Sequence, residues 1–133
     1  MIDWNRYVGI PWRQHGRDTQ GCDCWGLVRL VYAEQLGLEL PSYAGDYVDT
    51  QEREVLSRLI EDGRDAGPWR EVEKASPGDV LLFRVGALTT HVGLAMSRGR
   101  MLHAHRDQSK VERIADPKWR DRYLGAWRHE GRA

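Results

Sequence analysis

The hydrophobic period of the chain switches once along its length, and that switch constrains the fold more than any single motif. From Cys24 to Leu36, the residues Cys24, Leu27, Val28, Val31, Tyr32 and Leu36 return at the spacing of one helix face. Asp23 is a good N-cap ahead of them, and Gly37, Leu38 and Pro41 supply a stop, so a helix is predicted over 24–36. A second helix is predicted over 50–62. Asp49 and Glu52 form a capping-box-like start, Val55, Leu56, Leu59 and Ile60 the apolar face, and Gly63 the end. After Pro77-Gly78-Asp79, which is turn chemistry, the segments VLLFRV, HVGLAM, MLHAH, KVERI and YLGAW read as strands, with a short helical turn in PKWRDR. Helices first and strands later predict an α+β domain on an antiparallel sheet. The 133 residues suit one domain, 1–133, with a modest core, and no repeat, low-complexity segment or linker divides it.

Charge narrows the partners. Lys plus Arg number 20 and Asp plus Glu number 20, a balance that gives no electrostatic reason to expect nucleic acid or an anionic membrane. No apolar run approaches the length of a membrane span. The N-terminal MIDWNRYVGIPW lacks the long apolar core of a secretory signal, so synthesis in the cytoplasm and delivery by another route are expected.

Both cysteines of the chain lie in GCDCWGLV. A Cys-x-Cys pair makes a poor disulfide, because its side chains diverge and the ring is tight. Cys24 falls in the first turn of the predicted helix, where backbone N–H groups and the helix dipole favour a thiolate. The same position also suits a small buried hydrophobe. Cys22 lies ahead of the cap and reads as apolar filler. A zinc site using Cys22, Cys24 and downstream histidines is an alternative, although the spacing is not that of a common zinc knuckle and no second cysteine pair exists. Gly26 costs helix propensity, and is tolerated where another group must approach closely, whether substrate or a packed neighbour.

Five histidines occur, and His91, His103 and His105 fall on the two strands flanking Ser97-Arg98-Gly99. A two-residue loop, Arg98-Gly99, would pair Met96 with Met101 and turn His103 to the face opposite His91. A three-residue loop with a left-handed Gly99, which a glycine at the third loop position favours, pairs Met96 with Arg100, sets Gly93 opposite His103 and His91 opposite His105, and turns all three imidazoles to one face. That face reads as the wall of a site; a solvated face with incidental histidines is the plainer alternative. The other face carries Val92, Leu94, Met96, Leu102 and Ala104 and reads as core.

The segment GIPWRQHGRDTQGCDCWGLVRLVY resembles the signature of the NlpC family of bacterial cell-wall cysteine peptidases, in which Gly-x-Pro-aromatic leads to Asp-Cys-x-Gly-Leu/Phe-Val. SPGDVLLF and HVGLAMSRGRMLHA continue the resemblance in order and spacing over nearly the whole chain. The Cys-Trp-Gly-Leu-Val form is most similar to the branch found in phages, prophages and gene-transfer particles. The resemblance implies a papain-like α+β fold, with the nucleophile at a helix start packed on a C-terminal antiparallel sheet. It implies Cys24 as nucleophile, His91 as general base and His103 as the residue orienting that base, with no cofactor and no metal. The implied pocket comprises Cys24, Trp12, Asp23 and Trp25. Trp12 stands where many members have a tyrosine that helps the oxyanion site, and Trp25 where many have serine. The implied substrate is a peptidoglycan stem peptide, most often cut between D-glutamate and diaminopimelate, with phage-like tail-tip proteins as partners. The rival readings are an acyltransferase or amidase on the same scaffold, and a non-catalytic tail-tip protein.

Overall fold

The strands expected after Asp79 all form, and in the computed structural model, which describes residues 2–40, 69–85 and 88–131, they join one antiparallel sheet. A 3₁₀ turn over Trp4–Tyr7 comes first, followed by a small hairpin of β1 (Arg17–Asp18) and β2 (Gly21–Cys22). Helix α1 spans Cys24–Val31. The sheet comprises β3 (Trp69–Val72), β4 (Val80–Val85), β5 (Leu88–Ala95), β6 (Arg100–His105), β7 (Gln108–Arg113) and β8 (Tyr123–His129), in the order β3-β8-β4-β5-β6-β7. A short helix α2, Pro117–Arg120, separates β7 from β8 and is capped by Asp116.

Strand β4 explains why the sheet has two covered faces. Its residues do not alternate apolar with polar; Val80 and Leu82 point one way and Leu81 and Phe83 the other, and all four are buried. On one side Val80 and Leu82 join Val92, Leu94, Leu102 and Ala104 in the main core with Leu27, Val28 and Val31 of α1. On the other, Leu81 and Phe83 join Ala95, Met101 and Ala126 in a smaller core closed by Trp119 of α2. The histidine face, expected to be a site wall or a solvated surface, is therefore packed against α2 as well.

The helix predicted over 24–36 changes geometry near its end. Tyr32–Leu36 continue α1 as a π-turn, closed by Gly37 at φ 67° and a hydrogen bond from the Leu38 N–H to the Tyr32 carbonyl. The helix predicted over 50–62 lies outside the described residues. Two short pieces, the β1–β2 hairpin and edge strand β3, were not expected. Both are too short to show a period, and β3 exists through its pairing with β8. The Pro-Gly-Asp turn ties the layers together. The Tyr32 hydroxyl donates to the Gly78 carbonyl at 2.6 Å, while the fully buried Asp79 accepts the Ser76 N–H and both nitrogens of an Arg128 fork at 2.9 and 2.8 Å.

Candidate active site

Cys24 opens α1, and the chain invests heavily in fixing that helix start. The fully buried Asp23 carboxylate accepts the Gly26 N–H at 2.8 Å, the Arg17 guanidinium at 2.7 Å and the His15 N–H at 2.9 Å. The first of these bonds is the expected cap; the other two anchor the preceding loop to it. Gly26 is explained by the same loop: a Cβ there would run into the Gly16 carbonyl oxygen. The close approach is therefore by the chain itself. Cys24 is 2% exposed. Cys22 is fully buried on β2, and burial, with the Asp23 charge beside it, pushes its thiol up to about 12, so it is an inert filler. Neither cysteine is in a disulfide.

The histidine cluster comes from the hairpin register. Leu94 pairs with Leu102, Ala95 with Met101, and the Met96 N–H donates to the Arg100 carbonyl, leaving Ser97-Arg98-Gly99 as the loop with Gly99 at φ 72°. All three imidazoles share one face as expected, with ring centres 5.0 to 5.7 Å apart. Two of them are buried, His91 at 6% and His103 at 0% exposed, with Trp119 stacked on His91 at 5.2 Å, while His105 is half-buried. Nε2 of His91 lies 2.7 Å from Nδ1 of His103, and Nε2 of His103 lies 2.9 Å from Oε1 of Glu112. The second Glu112 oxygen accepts from Lys118 at 2.7 Å. A hydrogen-bonded line thus runs from His91 through His103 and Glu112 to Lys118.

Burial, then the neighbouring His103 and His105, hold the His91 imidazole well below its ordinary 6.5. Burial also brings His103 down to about 4, against the pull of Glu112. Burial alone would raise the Glu112 carboxyl, but hydrogen bonds from Lys118 and His103 outweigh it and leave it at about 2. At neutral pH the His103–Glu112 contact is therefore a neutral imidazole N–H donated to a carboxylate, not an ion pair. The same burial favours the neutral form of the His91 imidazole.

The match to known proteins covers both halves of this site. The profile of the NlpC/P60 family matches residues 9–128, from ahead of Cys24 through β8. The chain belongs to the NlpC/P60 family. The murein DD-endopeptidase MepS/murein LD-carboxypeptidase of Escherichia coli strain K12 is 28% identical over 127 residues, which make up 95% of this chain and 57% of that protein. The gamma-DL-glutamyl hydrolase of Bacillus subtilis strain 168 is 27% identical over 129 residues, 94% of this chain and 27% of that protein. Among solved structures, the NlpC/p60 domain of the peptidoglycan hydrolase SagA superposes with a TM-score of 0.56 at 28% identity, covering 83% of this chain and 82% of that one. The fold is thus the papain-like α+β fold of the NlpC/P60 family, as expected.

Within this NlpC/P60 domain the expected pocket residues part company. Trp12 is half-buried and its backbone is stitched in place: the backbone N–H donates to the Asp107 carbonyl at 2.9 Å, and the residue bridges to Cys22, two residues ahead of Cys24. Trp25, expected at the pocket, is 4% exposed and belongs to the main core. Asp23, also expected there, is spent on the helix start. Among the described residues no three His, Cys, Asp or Glu side chains are placed to hold a metal ion. Glu112, Lys118 and Trp119 were missed. A signal for Glu112 existed: His105 pairs with Gln108 across the two-residue turn Arg106-Asp107, which sets His103 opposite Lys110 and Glu112 on the diagonal, on the histidine face.

Proposed function

We propose that the chain is a cysteine peptidase of the bacterial cell wall, with Cys24 as nucleophile, His91 as general base and His103 orienting it. The observation that carries this reading is the 2.7 Å contact between His91 and His103, which occupies Nε2 of His91 and leaves Nδ1 for a substrate-side proton. Helix α1, which Cys24 opens, packs against β5 and β6, the strands that carry the two histidines. In the proposed reaction His91 Nδ1 takes the Cys24 thiol proton as sulfur attacks an amide carbonyl carbon. The oxyanion is held by the Cys24 backbone N–H at the helix start, assisted by Trp12. Collapse breaks the C–N bond, His91 returns the proton to the leaving amine, and water then hydrolyses the thioester.

We further propose a peptidoglycan stem peptide as substrate, cut between D-glutamate and diaminopimelate. The glutamyl bond named for the Bacillus relative supports that choice, and the different bonds named for the Escherichia relative are its competitor. Digestion of purified muropeptides, with mass spectrometry of the products, reads the bond directly; an added amine acceptor exposes acyl transfer. Cys24→Ala should abolish cleavage and Cys22→Ala should retain most of it. The reverse result overturns the assignment. Carriage in a phage-like tail is proposed from the Cys-Trp-Gly-Leu-Val form alone, and mass spectrometry of purified particles tests it. One observation favours a second reading, a non-catalytic structural role: Cys24 is only 2% exposed. Intact muropeptides after digestion, with a Cys24 inert to iodoacetamide in the folded protein, would establish that reading.

A further inference from the structure

The line His91–His103–Glu112–Lys118 has a direction, because its far end can only donate and its third member can only accept. Lys118 carries an ammonium, which has donors and no acceptor. Glu112 is a carboxylate bonded to Lys118 at 2.7 Å and to Nε2 of His103 at 2.9 Å. A carboxylate accepts, so Nε2 of His103 must carry a proton. In a neutral His103 this makes Nδ1 a lone pair. Nδ1 faces Nε2 of His91 at 2.7 Å, so Nε2 of His91 must in turn carry a proton, and Nδ1 of His91 becomes the lone pair.

We propose that Glu112, clamped by Lys118, is a positioning residue that sets the tautomers of both histidines and so keeps Nδ1 of His91 open to the Cys24 thiol. The inference rests on the assignment of Cys24 and His91 made above. No proton reaches Glu112 during turnover. The thiol proton moves to Nδ1 of His91, and the resulting imidazolium keeps its Nε2–H, which strengthens as a donor to His103. The titratable and charged groups facing this line are His105 on β6, Arg106 in the turn after it, Lys110 on β7 and Asp116 at the cap of α2. His105 is held below its ordinary range by burial and by Arg106 and Lys110. Lys110 is engaged with Asp107 at 3.0 Å.

The geometry makes an unusual demand on Glu112→Gln. Lys118 accepts nothing, so it selects the amide oxygen and turns the amide NH₂ toward Nε2 of His103. That reverses both tautomers and puts a proton on Nδ1 of His91, where the base must be. Glu112→Gln should lower kcat by about 10²–10⁴-fold, the scale of a triad held in the wrong tautomer, with KM little changed. Adding Lys118→Met to Glu112→Gln frees the amide to turn its oxygen to His103. It should recover on the order of tenfold in kcat, the size of a coupling between touching side chains. Long-range ¹H–¹⁵N spectra of the histidines give a readout that needs no substrate. His91 and His103 should both be protonated at Nε2 in the unmodified protein and at Nδ1 in Glu112→Gln. Protonation of His103 at Nδ1 in the unmodified protein, or unchanged tautomers and kcat in Glu112→Gln, would overturn the proposal. A protein that cleaves no muropeptide but shows the expected tautomers would instead refute the peptidase reading and leave the relay standing.

Discussion

Cys22 and Cys24 are two residues apart yet chemically unlike, and the difference is decided by what surrounds each. Cys22 is walled in on β2 beside a buried carboxylate, and its thiol is pushed up to about 12. It therefore carries no useful thiolate at neutral pH. Iodoacetamide should label the folded protein at Cys24 and reach Cys22 only after unfolding, as peptide mapping of partly labelled protein would show; labelling of Cys22 first would contradict its role as filler. His91 makes a second prediction at this scale. A free-enzyme base held below 6.5 by burial puts the acid limb of kcat/KM below 6.5. A pH–rate profile with that limb above 6.5 would mean that His91 is more solvated, or better paired as a cation, than its contacts with Trp119, His103 and His105 allow.

At the scale of elements, the start of α1 is held by several independent contacts. One carboxylate holds the cap, an arginine and a loop N–H, and Gly26 lets that loop lie against the helix. In an open helix Gly→Ala gains about 1 kcal/mol. Here the new methyl meets backbone, which cannot swing aside as a long side chain can. Gly26→Ala should therefore destabilise the fold by about 1–3 kcal/mol, the usual cost of overpacking, measured by urea unfolding. It should also displace the loop that sets Cys24, so activity should fall more steeply than stability. A stabilised Gly26→Ala would show that the 13–17 loop yields freely.

At the scale of the whole molecule, the buried histidine line makes the fold acid-sensitive. His103 binds a proton near 4 when folded and near 6.5 when unfolded. Between those values the unfolded chain holds more protons, so stability is full above 6.5 and falls as pH drops toward 4. For His103 alone the loss is about 3 kcal/mol at 1.36 kcal/mol per pKa unit. Glu112 acts in the same sense lower down: its contribution is present above 4.5 and is lost as pH falls toward about 2. Urea midpoints measured against pH should decline from 6.5 downward, and His103→Asn should flatten the upper part of that decline. A midpoint independent of pH between 6.5 and 4 would mean that the imidazole is not buried in solution.

Features legible in the sequence are those that neighbouring residues decide among themselves. The period switch assigned helix and strands, Asp23 and Gly37 bounded the α1 region, and the glycine of the Ser97-Arg98-Gly99 loop set a register that brought His91, His103 and His105 to one face. Hairpins and helix caps are short-range, so local chemistry specifies them. Only tertiary packing buries His91 and His103, because Trp119 arrives from a helix beyond β7 to cover them. It alone joined Asp79 to Arg128 across 49 residues and Tyr32 to Gly78 across 46. It also supplied the reason for Gly26, a carbonyl from a loop with no period to read. The burial that moves the histidine and cysteine protons is a property of packed layers, and no segment carries it alone.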